Sequence, residues 1–216
     1  MITDGITLIN WAIHTLGVPP SRIAIVGQSL GTAVAFGVAE RLATHPTDPT
    51  ELGAIIIIAG FSNIKELLLT YNVFGWLPVL SPLRPYPSLQ KLYLNFMRDT
   101  WKSDERLASL VRSSRKLNLI LLHAYNDFDI PWQHSDSLFV TATNATLSDG
   151  DKPLGWLDIM NLKEKTEFGE ESYRNKWPEA RGKGNSIEQW IVRWGGHNQV
   201  VTSAGTSVIV AKALGL

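Results

Sequence analysis

Two runs in the chain, AIIIIAG at 54–60 and LNLILLHA at 117–124, are apolar at nearly every position over the length of a strand. A strand with one wet face alternates apolar and polar residues. One without alternation must be covered on both faces, and that happens almost only in a parallel sheet lying between layers of helix. Two further short runs, IAIV at 23–26 and SIEQWIVRWG at 186–195, belong with them. Helical patterns fill the intervals, notably LGTAVAFGVAERLA at 30–43 and a closing helix from about Asn198 to Leu214. The order predicts an α/β fold with a mainly parallel sheet flanked by helices.

Ahead of the first strand, Ile2, Ile6, Ile9, Ile13 and Leu16 recur at steps of four and three, which is one stripe of a helix. Thr3 or Asp4 can cap that helix and Gly17 can close it. Two segments break the alternation. Residues 61–116, with the Pro-rich LPVLSPLRPYP at 77–87, are too long for a connection and read as a cap-like insertion. Its Leu67 to Leu69, Phe74, Trp76, Leu77, Val79 and Leu80 suit ordinary core, a cap over an apolar acyl channel or a surface resting on lipid. Residues 145–185 are polar and rich in Gly, Lys and Glu, and read as an exposed excursion. Residues 1–216 are expected to form a single domain.

Twenty basic and twenty acidic residues cancel, so no net charge draws the chain to nucleic acid. The absence of Cys removes disulfides, thiolate catalysis and thiol-bound zinc. No stretch reaches the eighteen or so apolar residues that cross a bilayer, and the His residues fall into no metal-binding pattern. The sequon Asn144-Ala145-Thr146 carries meaning only in a secretory chain.

The chemistry centres on IAIVGQSLG. A Ser on a sharp strand-to-helix turn sits in strained backbone, and the positions two before and two after it must be small because strand and helix pass close together. Gly27 and Gly31 meet that demand around Ser29. The helix N-terminus then points at the hydroxyl, and the backbone N–H of Leu30 can face an oxyanion. The bare pattern arises by chance in roughly one chain in ten of this size, so its place between a strand and a helix of small residues carries the weight. A serine nucleophile also needs a base and a group to orient the base. Strand 117–124 is followed by YNDFDIP, which offers Asp127 and Asp129. Strand 186–195 runs into GGHN, which offers His197. The order Ser, acid, His is the one found in folds that carry such a strand–turn–helix nucleophile. AIIIIAGFSN ends without a carboxylate and cannot supply the acid.

GQSLGTAVA, HAYNDFDIP and GGHN, with the helix and PPSR turn ahead of them, resemble the α/β-hydrolase family. The likeness is greatest to its abhydrolase-domain monoacylglycerol and lysophospholipid lipases and their fungal relatives, and covers nearly the whole chain. The resemblance implies a Ser29–His197–Asp127 triad, since the family's acid pattern falls on His123, Ala124, Asp127, Ile130 and Pro131. It implies a lipid or other small ester substrate, no cofactor, contact with a membrane surface and, for compartment, a membrane-associated setting such as the endoplasmic reticulum. In one respect the chain departs from the family. About four strands normally precede the elbow, and the loop after an early one supplies a second oxyanion N–H; here one helix precedes it. The expectation is a fold truncated at the N-terminus, without that second donor and with the elbow strand at an open sheet edge.

Each residue also has a plainer use: Ser29 and His197 as helix caps, Asp127 as a turn former, His123 as a structural group at a strand end. Two further functions stay open beside the ester hydrolase. One is a non-catalytic or unfolded remnant of a truncated hydrolase, acting as a module that binds a ligand or partner; the other is a serine peptidase.

Overall fold

The structure is a computed structural model that describes residues 1–73, 77–78, 85–95, 101–147, 150–178 and 184–216. In chain order its elements are α1 (Ile2–His14), β1 (Ala24–Gln28), α2 (Leu30–Ala43), β2 (Ala54–Ile58), α3 (Ile64–Thr70), β3 (Asn72–Val73), β4 (Leu77–Pro78), α4 (Pro87–Asn95), α5 (Ser103–Ser113), β5 (Asn118–Ala124), α6 (Gln133–Asn144), α7 (Trp156–Leu162), β6 (Glu164–Glu167), β7 (Tyr173–Trp177), β8 (Ser186–Val192), α8 (Gly196–Gln199) and α9 (Ala204–Ala213). Six strands make one sheet in the order β1-β2-β5-β8-β7-β6, and β3 pairs only with β4. Strands β1, β2, β5 and β8 run parallel, whereas β7 and β6 are added antiparallel.

The all-apolar runs do what their composition requires. Ile55, Ile57, Leu119 and Leu121 face a layer made of α2, α5 and α6, where Phe36, Leu107, Leu110 and Phe139 are fully buried. Ile56, Ile58, Ile120 and Leu122 face the other way, onto Val200 and Ile209 near and on α9. Burying one such side chain is worth about 1.5–3 kcal/mol, so β2 and β5 are the heart of the molecule. The stripe of α1 packs through Ile2, Ile6 and Ile9 on Val38 and Leu42 of α2. Among the described residues β1 has one neighbour, β2, and Val26 on its outer part is 48% exposed.

Several expectations are corrected. Helix α1 starts at Ile2, so Thr3 and Asp4 lie inside its first turn, and Asp4 pairs with the chain's amino group at 2.7 Å instead of capping. The closing helix is broken: α8 gives way to a 3-10 turn at Val200–Thr202, and α9 begins only after Ser203, whose hydroxyl accepts from Thr206 N. The stretch 145–185 is not a mere excursion. It adds β6 and β7 to the sheet and buries Ile159, Asn175 and Trp177. The sequon is consumed structurally, because Asn144 bonds both the N–H and the carbonyl of Leu154, and the Thr146 hydroxyl accepts from Trp177 Nε1. Within 61–116, α5 is a core helix, packed against α2 and α6. Phe74, Trp76, Val79 and Leu80 lie outside the described residues, as does most of the Pro-rich stretch 77–87.

Candidate active site

Parallel strands deliver their C-terminal ends to one edge of the sheet, and in open α/β sheets that edge is where ligands bind. Ser29 follows β1, Asp127 follows β5 and His197 follows β8. Three segments far apart in sequence therefore reach the same edge.

Ser29 has φ 52° and ψ −124°. A non-glycine residue with that backbone is strained by about 1–3 kcal/mol and persists only where its surroundings enforce it. The enforcement is visible. Ser29 N donates to Ile58 O at 3.0 Å, which ties the turn to β2, and Ser29 O accepts from Thr32 N and from the Thr32 hydroxyl. Gly27 is required by close approach, since a Cβ there would stand 2.7 Å from Gly31 O and 2.8 Å from the Cβ of Ala35. Gly31 itself is another matter. A Cβ at Gly31 meets nothing within 4 Å among the described residues, so the crowding falls on one side of the elbow only. Leu30 is the first residue of α2, and its N–H has no acceptor within the helix.

The acid loop is built around Asp127, whose side chain is fully buried. One carboxylate oxygen, Oδ1, accepts from the N–H groups of Asp129 and Ile130 at 3.0 and 2.9 Å. The other, Oδ2, meets His197 Nδ1 at 2.9 Å. Burial alone would raise the pKa of Asp127. The contacts with His123 and His197 and the Ile130 N–H outweigh it and hold the group well below the usual carboxylate range. In return the Asp127 bond raises the pKa of His197, against burial and with further help from the charges of Asp127 and Asp129. A carboxylate can only accept, so His197 Nδ1 carries the proton in the bond, and in the neutral imidazole Nε2 is left as an acceptor.

The triad candidates meet unequally. Asp127 and His197 are joined directly. The Ser29 hydroxyl forms no hydrogen bond to His197 in this structure, a contact that often tightens only when substrate binds. Gln28 ties the two loops, its Nε2 donating to His197 O at 2.8 Å, so His197 is bonded to the residue preceding Ser29. Asn126 makes the second tie, its Oδ1 accepting from Gly196 N at 2.9 Å and joining the acid loop to the His loop. Sequence reading passed over both, although each neighbours a singled-out residue. His123 is fully buried, donates from Nε2 to Ile130 O at 2.9 Å and lies 3.4 Å from Asp127 Oδ2. It clamps the two ends of the acid loop.

Asp127, Asp129 and His197 each offer an atom that could ligate a metal, all within 4.8 Å of one another, and Asp127 and His197 are joined by a hydrogen bond. Beside the edge lies a small apolar cluster of Ala33, Phe61, Leu67 and Ile130 with Ile64, Tyr71 and Trp101 against it. Burial raises the pKa of Tyr71, followed by the charges of Asp129 and Asp127, so its phenol faces the same acidic corner. An open cavity of about 730 Å³ lies elsewhere, around Gly53, Asn118 and Ser186 at the starts of β2, β5 and β8, and touches none of the triad candidates.

No protein-family model matches the chain. It is 28% identical over 155 residues to a zebrafish (Danio rerio) protein named lysophosphatidylserine lipase ABHD12, covering 70% of this chain and 36% of that one. It is 27% identical over 150 residues to human (Homo sapiens) protein ABHD12B, covering 67% and 36%. The chain thus spans about a third of the length of these curated relatives. Among solved structures, an alpha-beta hydrolase from Vibrio vulnificus superposes with a TM-score of 0.59 at 14% identity, over 98% of this chain and 55% of that one. A puromycin-hydrolysing peptidase of Mycobacterium tuberculosis superposes with a TM-score of 0.50 at 14% identity, over 97% and 25%.

Proposed function

We propose that this chain, which is similar to abhydrolase-domain proteins and shares the fold of solved α/β hydrolases, is a serine hydrolase of carboxylic or thio-esters with apolar acyl chains. The observation that carries the reading is the 2.9 Å Asp127–His197 bond at the same sheet edge as a Ser held at φ 52°. In this mechanism His197 Nε2 takes the Ser29 proton as Oγ bonds to the ester carbonyl. Leu30 N–H steadies the oxyanion, and the proton passes to the departing alcohol or thiol. Water then repeats the sequence, regenerates Ser29 and releases the acid. The N–H of Leu30 is one donor, and losing a single donor costs a hundred- to a thousand-fold in such enzymes, so one is enough for measurable turnover. Support for an apolar acyl group comes from the Phe61, Leu67 and Ile130 cluster beside the site, and for a lipid ester from the name of the zebrafish relative. The peptidase reading has no feature of the site in its favour. We take residues 1–216 as one hydrolase unit, with α3 and its flanks as the part nearest substrate.

The test is a fluorophosphonate probe, which reacts with activated serines. Wild-type chain should be labelled and Ser29→Ala should not. Label that persists in Ser29→Ala would place the nucleophile elsewhere.

A further inference from the structure

Asp129 does not orient His197 in the way Asp127 does, yet the fold brings it to the same place. One carboxylate oxygen of Asp129, one of Asp127 and a ring nitrogen of His197 lie within 4.8 Å of one another. Among the described residues Asp129 Oδ1 is buried and has no hydrogen-bond partner. A buried carboxylate oxygen without a donor is costly, and a nearby positive charge offsets that cost. The Asp129 N–H is committed to Asp127 Oδ1, so the backbone that fixes the acid also fixes Asp129. The other titratable groups that face this corner are His123 from β5, Tyr71 from the end of α3 and His134 from α6. The side chains of Arg193, the nearest cation in sequence to the His loop, are drawn away to Glu170 and Glu171. Asp129 therefore lies beside an imidazole that the proposed reaction turns into a cation, and among the described ion pairs none joins Asp129 to a Lys or Arg.

We propose that Asp129 is a positioning residue for His197, a second carboxylate whose free oxygen stabilises the imidazolium formed while Ser29 is acylated. It makes no bond to substrate and transfers no proton. Asp127 sets the tautomer and the ring orientation through a hydrogen bond, and Asp129 adds charge from the side. The inference rests on the hydrolase reading for its purpose, though not for its measurement.

The measurement is the titration of the His197 imidazole, followed by NMR of 15N-labelled 216-residue chain, in wild type, Asp129→Asn and Asp129→Glu. Asp129→Asn should lower the His197 pKa by about half a unit to one unit, as expected for loss of a partly solvated opposite charge at this range. Asp129→Glu should restore most of it. In ester hydrolysis the acidic limb of kcat/KM should move down by the same amount with KM unchanged. The isosteric Asn removes no hydrogen bond at Oδ1, and an unchanged melting curve checks that the fold is intact. A His197 pKa unmoved by Asp129→Asn overturns the proposal. So does a rise in KM at constant pKa, because the carboxylate would then be meeting the substrate. If the imidazole shifts as expected but Ser29 takes no fluorophosphonate label, the hydrolase reading fails and the Asp129–His197 coupling stands.

Discussion

At the scale of single residues the acid loop does most of the work. Asp127 accepts from two backbone N–H groups and from His197, and His123 closes the loop behind it. Asp127→Asn keeps the shape and loses the charge, and it lets the imidazole settle in the wrong tautomer. Ester turnover should fall about 10⁴-fold, whereas Asp129→Asn should cost only a few-fold at neutral pH. Steady-state kinetics on the two variants checks the ranking, and the reverse order would assign the acid wrongly. The pH dependence has a definite sign. In the proposed mechanism His197 must be neutral to act as base, and Asp127 raises its pKa above the ordinary 6.5. Activity should therefore fall as pH drops through a value above 6.5, and a limb at or below 6.5 in kcat/KM would show that the coupling is absent. Asp127 and His197 were legible from YNDFDIP and GGHN. Gln28 and Asn126 were not, because an amide's partner lies across the fold and leaves no local pattern.

At the scale of elements the elbow is asymmetric. Gly27 is pressed between strand and helix, and Gly27→Ala forces a Cβ to within 2.8 Å of backbone and of Ala35. Overpacking of this kind costs about 1–3 kcal/mol. Gly31→Ala meets no such contact and replaces a poor helix former with a good one, so it should be neutral or stabilising by up to about 1 kcal/mol. Chemical denaturation of both variants separates them, and equal losses would restore the symmetrical reading of G-x-S-x-G. Strand β7 shows why other elements escaped notice. Its sequence YRNKW is polar, yet Asn175 and Trp177 are buried because β8 supplies a free edge for pairing and α6 roofs it. Asn175 Nδ2 donates to Gln189 Oε1, and Gln189 Nε2 reaches Ser135 and Asp136, so the polarity is internal wiring rather than exposure.

Over the whole molecule that wiring couples stability to pH. Burial pushes the pKa of Asp136 up to about 6, against the Gln189 bond and the Lys163 charge, while Lys163 is pushed down to about 8, also by burial. Between its ordinary 3.8 and about 6 the folded chain holds the Asp136 proton more tightly than the unfolded chain does. Its contribution is complete below about 4 and is lost as pH rises through 6. Asp127, with its lowered value, acts in the opposite sense, and only at lower pH. Asp136→Asn should therefore gain on wild type by about 1–3 kcal/mol between pH 4 and pH 7.5. Urea denaturation at the two pH values measures the gap, and a constant difference would mean that Asp136 is not carrying a buried charge at neutral pH.

The sequence by itself determined the layers and the sharp turn at Ser29. Runs such as AIIIIAG can be buried only between two helical layers, and a Ser between IAIV and a helix of small residues can only sit on a sharp turn. These follow from local composition and period, and a chain carries them whatever its partners are. Tertiary structure decided what depends on distance across the fold. It placed β7 against β8, broke the last helix at Ser203, and spent the Asn144 sequon on Leu154. It also relieved Gly31 of contact, bonded Asp127 rather than Asp129 to His197, and left Asp129 with a buried free oxygen. Pairing and hydrogen bonding join residues tens to more than a hundred positions apart, and no window of the sequence contains both ends.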